Sequence, residues 1–427
     1  MSAIREHMEK GRAYFLERAD RDIERYRKGD FTVTVKKNGR PVRTEVRYAL
    51  TRIDYDFGCN LFMLDQYDDA EMQSRYLTLW KNLFNTAVVP LYWEGTEPER
   101  GVLRYDRNAP NDLYRRPPAA RVLDFCRENG IRPKGHPLFW HEFIPRWLPA
   151  DWGQLLPLIE KRFREIGERF GDEIPVFDCV NEPSRIFDMA YEHATDGYKM
   201  VAPPNGYIEQ VFALAEKYFP KSELILNEAT GFAVCEYKGI YGGYYQLIER
   251  LLKEGCRIDR IGLQCHVSDD PVFKNYFDAR RLYGVLDGYA ALGKPLVVSE
   301  IGLSTEDEEL QAEAARQIYK VCFSVPATSG VFWWNLDDTG IIRDKTRLAM
   351  AENLPHGGLA RKGVTKAAYR ALDELINREW TTAGAASVTD GKLSFRGFYG
   401  TYAITVDGRT FAVDLGKNQN RNAVLEL

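Results

Sequence analysis

From Phe57 onward the chain repeats one pattern eight times: a short apolar run, a loop, then an amphipathic stretch. The strands predicted from the runs are 57–63, 86–92, 133–140, 176–181, 223–227, 260–266, 296–300 and 330–335. Between them lie stretches with helical spacing, among them 120–129, 155–170, 207–219, 243–254, 309–323 and, last, 365–376. Two helix starts carry capping residues: Thr305 with Glu308, and Asp151 with Gln154. Near-continuous apolar strands separated by helices belong to parallel sheets covered on their faces. Eight such units over about 300 residues predict an α/β fold, a (β/α)8 TIM barrel. An open, doubly wound sheet uses the same unit and is the rival.

The flanks read differently. Residues 3–28 carry helical spacing. Residues 31–35 then alternate at period two, Asn38-Gly39 supplies a hairpin turn, and 42–46 returns. After Trp380 the pattern is β again, punctuated by Asp390-Gly391 and Asp407-Gly408. A tail of about 45 residues is too short for a free-standing sandwich. It is therefore expected to pack with the N-terminal hairpin as one small β domain. The division is 1–52 for the N-terminal helix and hairpin, 53–379 for the barrel, and 380–427 for the C-terminal β segment.

Composition excludes several function classes. A net charge of −4 leaves no basic footprint for nucleic acid. Seven scattered cysteines without a CxxC pair read as reduced thiols, and six dispersed histidines offer no zinc cluster. No metal, no cofactor and no phosphate loop is expected, since Gly242-Gly243 lacks the Lys-Ser/Thr that would complete one. No run of 18 apolar residues is present, so no membrane partner is expected. No apolar leader follows Met1, so the chain as written reads as cytoplasmic, and secretion would require a leader removed from it. The oligomeric state is left open. Aromatic residues make up 13% of the chain, which suits either a sugar-binding surface or a large aromatic core.

A TIM barrel places its chemistry at the C-terminal ends of the strands. There the sequence gathers His136 to His141 on strand three, Asn181-Glu182 on strand four, Asn227-Glu228 on strand five, Gln264 and His266 on strand six, Glu300 on strand seven and Trp334-Asn335 on strand eight. A lone Glu ending an apolar strand is as easily a rim ion pair as a catalyst. Two of them on strands four and seven face each other across the mouth. At roughly 5–5.5 Å apart such a pair serves as nucleophile and acid/base in a retaining glycosidase. An ionised Glu300 would raise the pKa of Glu182 and keep it an acid. Once a glycosyl-enzyme forms, that charge is gone and Glu182 can act as base. The Asn181 amide suits a sugar 2-hydroxyl. Trp333 and Trp334 are adjacent on a strand, so they must face opposite sides.

In these stretches the chain resembles glycoside hydrolase family 10, the endo-β-1,4-xylanase family. The carriers are 93–101, 135–141, 178–182, 262–266, 298–300 and 362–369, in family order. The resemblance implies Glu182 as acid/base and Glu300 as nucleophile. It places His136, Asn181, Asn227, Gln264 and His266 around the sugar, with Trp140 and Trp334 as apolar walls. His141 reads as structural. Family members carry a Glu-Asn pair and a Lys before the tryptophan of strand two. Here the stretch is shorter, Val88 to Trp93, with Tyr92 where the Lys is expected. Asn335 stands for a usual Gly, Glu228 for a usual Asp, and a second tryptophan is absent from 339–358. The expected activity is retaining hydrolysis of β-linked, plant-type oligosaccharide or polysaccharide, with β-1,4-xylan the first candidate. Two alternatives are an exo-acting or aglycone-tolerant β-glycosidase and a non-catalytic sugar-binding barrel.

Overall fold

The computed structural model describes residues 3–113, 115–185, 203–268, 278–338, 357–417 and 421–427. Eight parallel strands close into a barrel: Asp56–Asn60, Thr86–Pro90, Arg132–His136, Val176–Asn181, Glu223–Glu228, Arg260–Ser268, Leu296–Ser304 and Thr328–Trp333. Closure is decided at the last seam, where strand eight pairs with strand one, Gly330 to Trp333 against Asp56 to Cys59. The open-sheet rival is thereby excluded. A short extra strand, Phe139–Trp140, follows strand three and pairs with the end of strand four.

The barrel core is apolar because its strands are buried on both faces. Strands one, two and four are buried at every position. At the opposite end from the mouth, Asp56 receives Arg132 and Arg260, and Glu223 receives the same two arginines. Charges at that bottom face serve stability rather than chemistry. The helices start where acceptors stand: Asp69, Asp151, Asp278 and Asp307 each take a backbone N–H of the first turn. For the Glu308–Ser324 helix this corrects the sequence reading. The capping residue is Asp307, while Thr305, two residues before it, accepts from the Asp307 N–H.

The two ends of the chain build two four-stranded sheets. One joins Lys28–Lys37 to Lys392–Phe398, Asn422–Glu426 and Arg40–Pro41, and the other joins Thr44–Ile53 to Ala383–Val388, Gly400–Val406 and Arg409–Leu415. Each sheet mixes N- and C-terminal strands. Phe31, Val33 and Val35 from one sheet and Val46, Tyr402 and Ile404 from the other lie in one shared apolar cluster. The Asn38-Gly39 turn forms with positive φ at both residues. Its hairpin pairs only Lys37 with Arg40 and Lys36 with Pro41; beyond one bond from the Val42 N–H to the Val35 carbonyl (3.4 Å), the Val35 N–H turns instead to the Gly391 carbonyl (2.7 Å). Residues 44–53 then cross to the second sheet instead of returning along the first. The leading helix is likewise broken at Gly11, φ 73°, into Ala3–Glu9 and Arg12–Tyr26.

Candidate active site

Local irregularities aim the site. Strand four bulges between Asp178 and Val180 in its pairing with strand five, which brings Asn181 opposite Asn227. Strand seven bulges against strand six, skipping Ser299, so that Gln264 stands opposite Glu300. Bulges re-aim side chains and gather near active sites. Glu182, the first residue beyond strand four, has φ 51°, a left-handed conformation that costs a non-glycine residue about 1 kcal/mol or more. It is held there by two backbone bonds: its N–H to the Asn227 carbonyl (2.7 Å), and the Arg185 N–H to its own carbonyl (3.2 Å).

The two carboxylates share one donor. The Gln264 amide nitrogen donates to Glu182 Oε1 at 2.7 Å and to Glu300 Oε1 at 3.2 Å. Those two oxygens therefore lie within about 6 Å of each other, a spacing that suits a retaining pair. Each carboxylate is only 5% exposed. Glu300 also accepts from Asn227 Nδ2 (3.2 Å) and meets His266 Nε2 at 3.2 Å. The same Asn227 nitrogen donates to Asn181 Oδ1 (2.7 Å), and Asn227 Oδ1 accepts from Ser299 Oγ (2.5 Å). With its carbonyl so engaged, Asn181 is left with its N–H groups as donors for a substrate hydroxyl. Gly262 permits this cluster, because a Cβ there would stand 2.3 Å from Asn227 Oδ1.

The electrostatics separate the two roles. Burial raises the pKa of Glu182. Arg185, whose Nη1 donates to Glu182 Oε2 at 3.1 Å, pulls it down, and the neighbouring Glu300 charge pushes it up further. A carboxyl held above its ordinary range is suited to be the acid. Glu228 lies just behind. It accepts from the Ser184 and Ala229 N–H groups (3.0 and 2.8 Å), yet burial pushes it up to about 8.

The remaining predicted residues form the wall. His136 is oriented by Asp178, its Nδ1 2.7 Å from Asp178 Oδ2, and Lys134 pairs with that same oxygen. Its ring meets Trp334 at 5.3 Å and Tyr92 at 5.4 Å between centroids. Tyr92 in turn lies 6.0 Å from Trp140. Trp333 faces the other way, fully buried, its indole N–H on the Gly357 carbonyl (3.0 Å). His141 is buried and its pKa falls to about 3, so it is neutral and uncharged at working pH. The stretch 339–356, where the second family tryptophan is missing, lies outside the described residues.

The sequence reading passed over several participants. Asp178 and Lys134 were legible in principle: Lys134 and His136 are two apart on one strand and share a face, and a buried Lys needs an anion. Arg185 comes from the single 3-10 turn Pro183–Arg185 and Phe62, Phe143, Arg115 and Arg116 from loops, where no periodicity marks them. Among the described residues no cluster of three or more His, Cys, Asp or Glu could hold a metal ion, and no helix is long and apolar enough to cross a membrane.

Residues 68–372 match the family model described as glycosyl hydrolase family 10. Endo-1,4-beta-xylanase B of Thermotoga neapolitana is 26% identical over 310 residues, 70% of this chain and 81% of that protein. Anti-sigma-I factor RsgI6 of Acetivibrio thermocellus is 26% identical over 415 residues, 92% of this chain but 46% of that protein. The chain thus spans less than half the length of that relative. Among solved structures, xylanase 10B of Thermotoga petrophila RKU-1 in complex with xylobiose superposes with a TM-score of 0.58 at 21% identity, covering 77% of this chain and 94% of that one. The likeness in structure is one of fold.

Proposed function

The chain belongs to glycosyl hydrolase family 10, and on that premise we propose that it hydrolyses β-glycosidic bonds with retention of configuration, β-1,4-xylan being the substrate favoured. The observation that carries the mechanism is the Gln264 amide bridging both carboxylates. Glu300 attacks the anomeric carbon while Glu182 protonates the departing oxygen. Glu300 then loses its charge in the ester, so the pKa of Glu182 drops and it takes a proton from the incoming water. Asn227 and His266 hold Glu300 in place, and Asn181 donates to the sugar 2-hydroxyl. His136, Trp140 and Trp334 shape the subsite.

Xylan is supported by the relatives named endo-1,4-beta-xylanase. The test is a panel of aryl β-glycosides (xylobioside, xyloside, cellobioside, glucoside, arabinoside and galactoside) with product anomers followed by NMR. The expected result is release of the β-anomer first from the xylobioside. Glu300→Ala should lower that turnover by at least about 10⁴-fold. First release of the α-anomer would exclude retention. A wild type as inactive as Glu300→Ala across the panel would favour the sugar-binding alternative.

A further inference from the structure

The loop between strand two and the Ala119–Asn129 helix delivers two consecutive cations, Arg115 and Arg116, to the mouth of the barrel. The Arg116 guanidinium lies 3.8 Å above the Tyr92 ring and 5.5 Å from that of Phe143. The Arg115 guanidinium lies 5.5 Å from the Phe62 ring, and its Nη2 donates to Asn335 Oδ1 at 2.8 Å. Phe62 stands 5.8 Å from Tyr92 and 5.6 Å from Trp334, so both cations sit on the same aromatic wall that meets His136. Burial raises the pKa of the Tyr92 hydroxyl, with Arg116 and Arg115 opposing that rise and the Glu300 and Glu182 charges adding to it.

The rings of this wall follow strands eight (Trp334), one (Phe62) and two (Tyr92), with Phe143 beyond strand three at its edge. Glu182, which protonates the leaving oxygen, stands on strand four. The sugars that stay with Glu300 after cleavage therefore extend along the arc that carries the two arginines. Arg115 is half-buried and makes no ion pair with an Asp or Glu among the described residues. Its backbone is held at φ 56°, and its N–H is fixed by Gln66 Oε1 at 3.1 Å. A guanidinium fixed at both backbone and side chain, on an aromatic shelf, is pre-organised for a planar anion that can accept two parallel hydrogen bonds.

We propose that Arg115, with Arg116 beside it, forms a glycone subsite that recognises the carboxylate of a uronic-acid residue carried by the β-linked glycan. The proposal rests on the glycosidase reading above for the placing of the sugar. It also assigns a purpose to Asn335, which orients Arg115 and is itself bonded by Asn60 Nδ2 at 3.2 Å. A neutral sugar could take single hydrogen bonds here, whereas a carboxylate gains charge-assisted ones.

The test is calorimetric titration of the full chain carrying Glu300→Gln, with xylotriose and with xylotriose bearing one glucuronic acid on its non-reducing xylose. At low salt the uronate-bearing ligand should bind at least about tenfold more tightly. That ratio should shrink as salt is raised to about 0.5 M, where a half-buried charge pair is partly screened. Arg115→Gln should cut the ratio about tenfold, and Arg115→Lys, which keeps the charge and loses the fork, should give an intermediate ratio. Equal affinities, no binding of either ligand, or a ratio untouched in an Arg115→Gln protein with a wild-type melting curve would overturn the subsite. Hydrolysis of the aryl xylobioside by the wild type is read separately. If it fails while the uronate preference holds, the hydrolysis reading falls and the subsite stands. If it succeeds with a ratio of one, the reverse follows.

Discussion

Arg185 and Glu300 act on Glu182 in opposite senses, and the balance sets when the acid carries its proton. Burial raises the Glu182 pKa, Arg185 lowers it, and Glu300 raises it again. Glu182, as the proposed general acid, works only when protonated, so activity should fall as pH rises through that raised value. Arg185→Met removes the influence that favours the charged form. Its alkaline limb in a kcat/KM profile should therefore move to higher pH than that of the wild type, and a limb at unchanged or lower pH would contradict the assignment. A second check at this scale is Gly262→Ala. Its Cβ would meet Asn227 Oδ1 at 2.3 Å, so the amide that holds Glu300 must shift. A loss in kcat of about 10- to 100-fold with little change in KM is expected, as for a displaced positioning group.

The strand ends show what could be read and what could not. The eight strands and the two glutamates follow from apolar runs that terminate in polar residues, a signal carried by the chain itself. Strands six and seven, however, run to Ser268 and Ser304, beyond the predicted ends at 266 and 300. Nor was the skip at Ser299 legible, because a bulge is a relation between two strands and leaves no mark in the period of either. Thr44–Ile53 was misplaced for a similar reason: turn chemistry at Asn38-Gly39 gave the hairpin, but the partner of the following strand lies more than three hundred residues away. Arg115 and Arg116 were invisible as site residues because loops carry no face. At this scale Glu228 joins strand five to the turn that follows Glu182, through the Ser184 N–H. Its folded pKa is about 8, above the ordinary 4.5, so the folded state holds a proton that the unfolded state releases. That stabilisation is present in full below the ordinary value and is lost as pH rises towards about 8. The slope in that window is at most roughly 1.4 kcal/mol per pH unit. Glu228→Gln should flatten the fall in melting temperature between about pH 5 and 8, and parallel curves for the two proteins would contradict the role.

Over the whole molecule, the terminal β sheets and the barrel meet where helix Arg12–Tyr26 gives way to strand Lys28–Lys37. Half-buried there, Arg27 donates to the carbonyls of Phe323, Val325 and Thr328 at 2.6 to 2.9 Å and to the Thr328 hydroxyl at 2.9 Å. It also lies over the Tyr55 ring at 4.7 Å. Arg27→Ala would leave several buried carbonyls without a donor and should lower stability by about 3 kcal/mol or more, read by urea denaturation, with the kcat of the folded enzyme preserved. Because the sheets interleave both ends of the chain, limited proteolysis that freed 381–427 as a folded fragment would contradict the shared core. At the barrel mouth two buried carboxylates, Glu182 and Glu300, share the Gln264 amide as a common donor, and the mechanism turns on what Glu300 does there. The measurement that tests it most directly is peptide mapping by mass spectrometry after reaction with an activated 2-deoxy-2-fluoro-β-xylobioside. The account predicts one added glycosyl group per chain, carried on Glu300 and absent from Glu300→Ala. A label on another residue, or full inactivation with no label at Glu300, would contradict it.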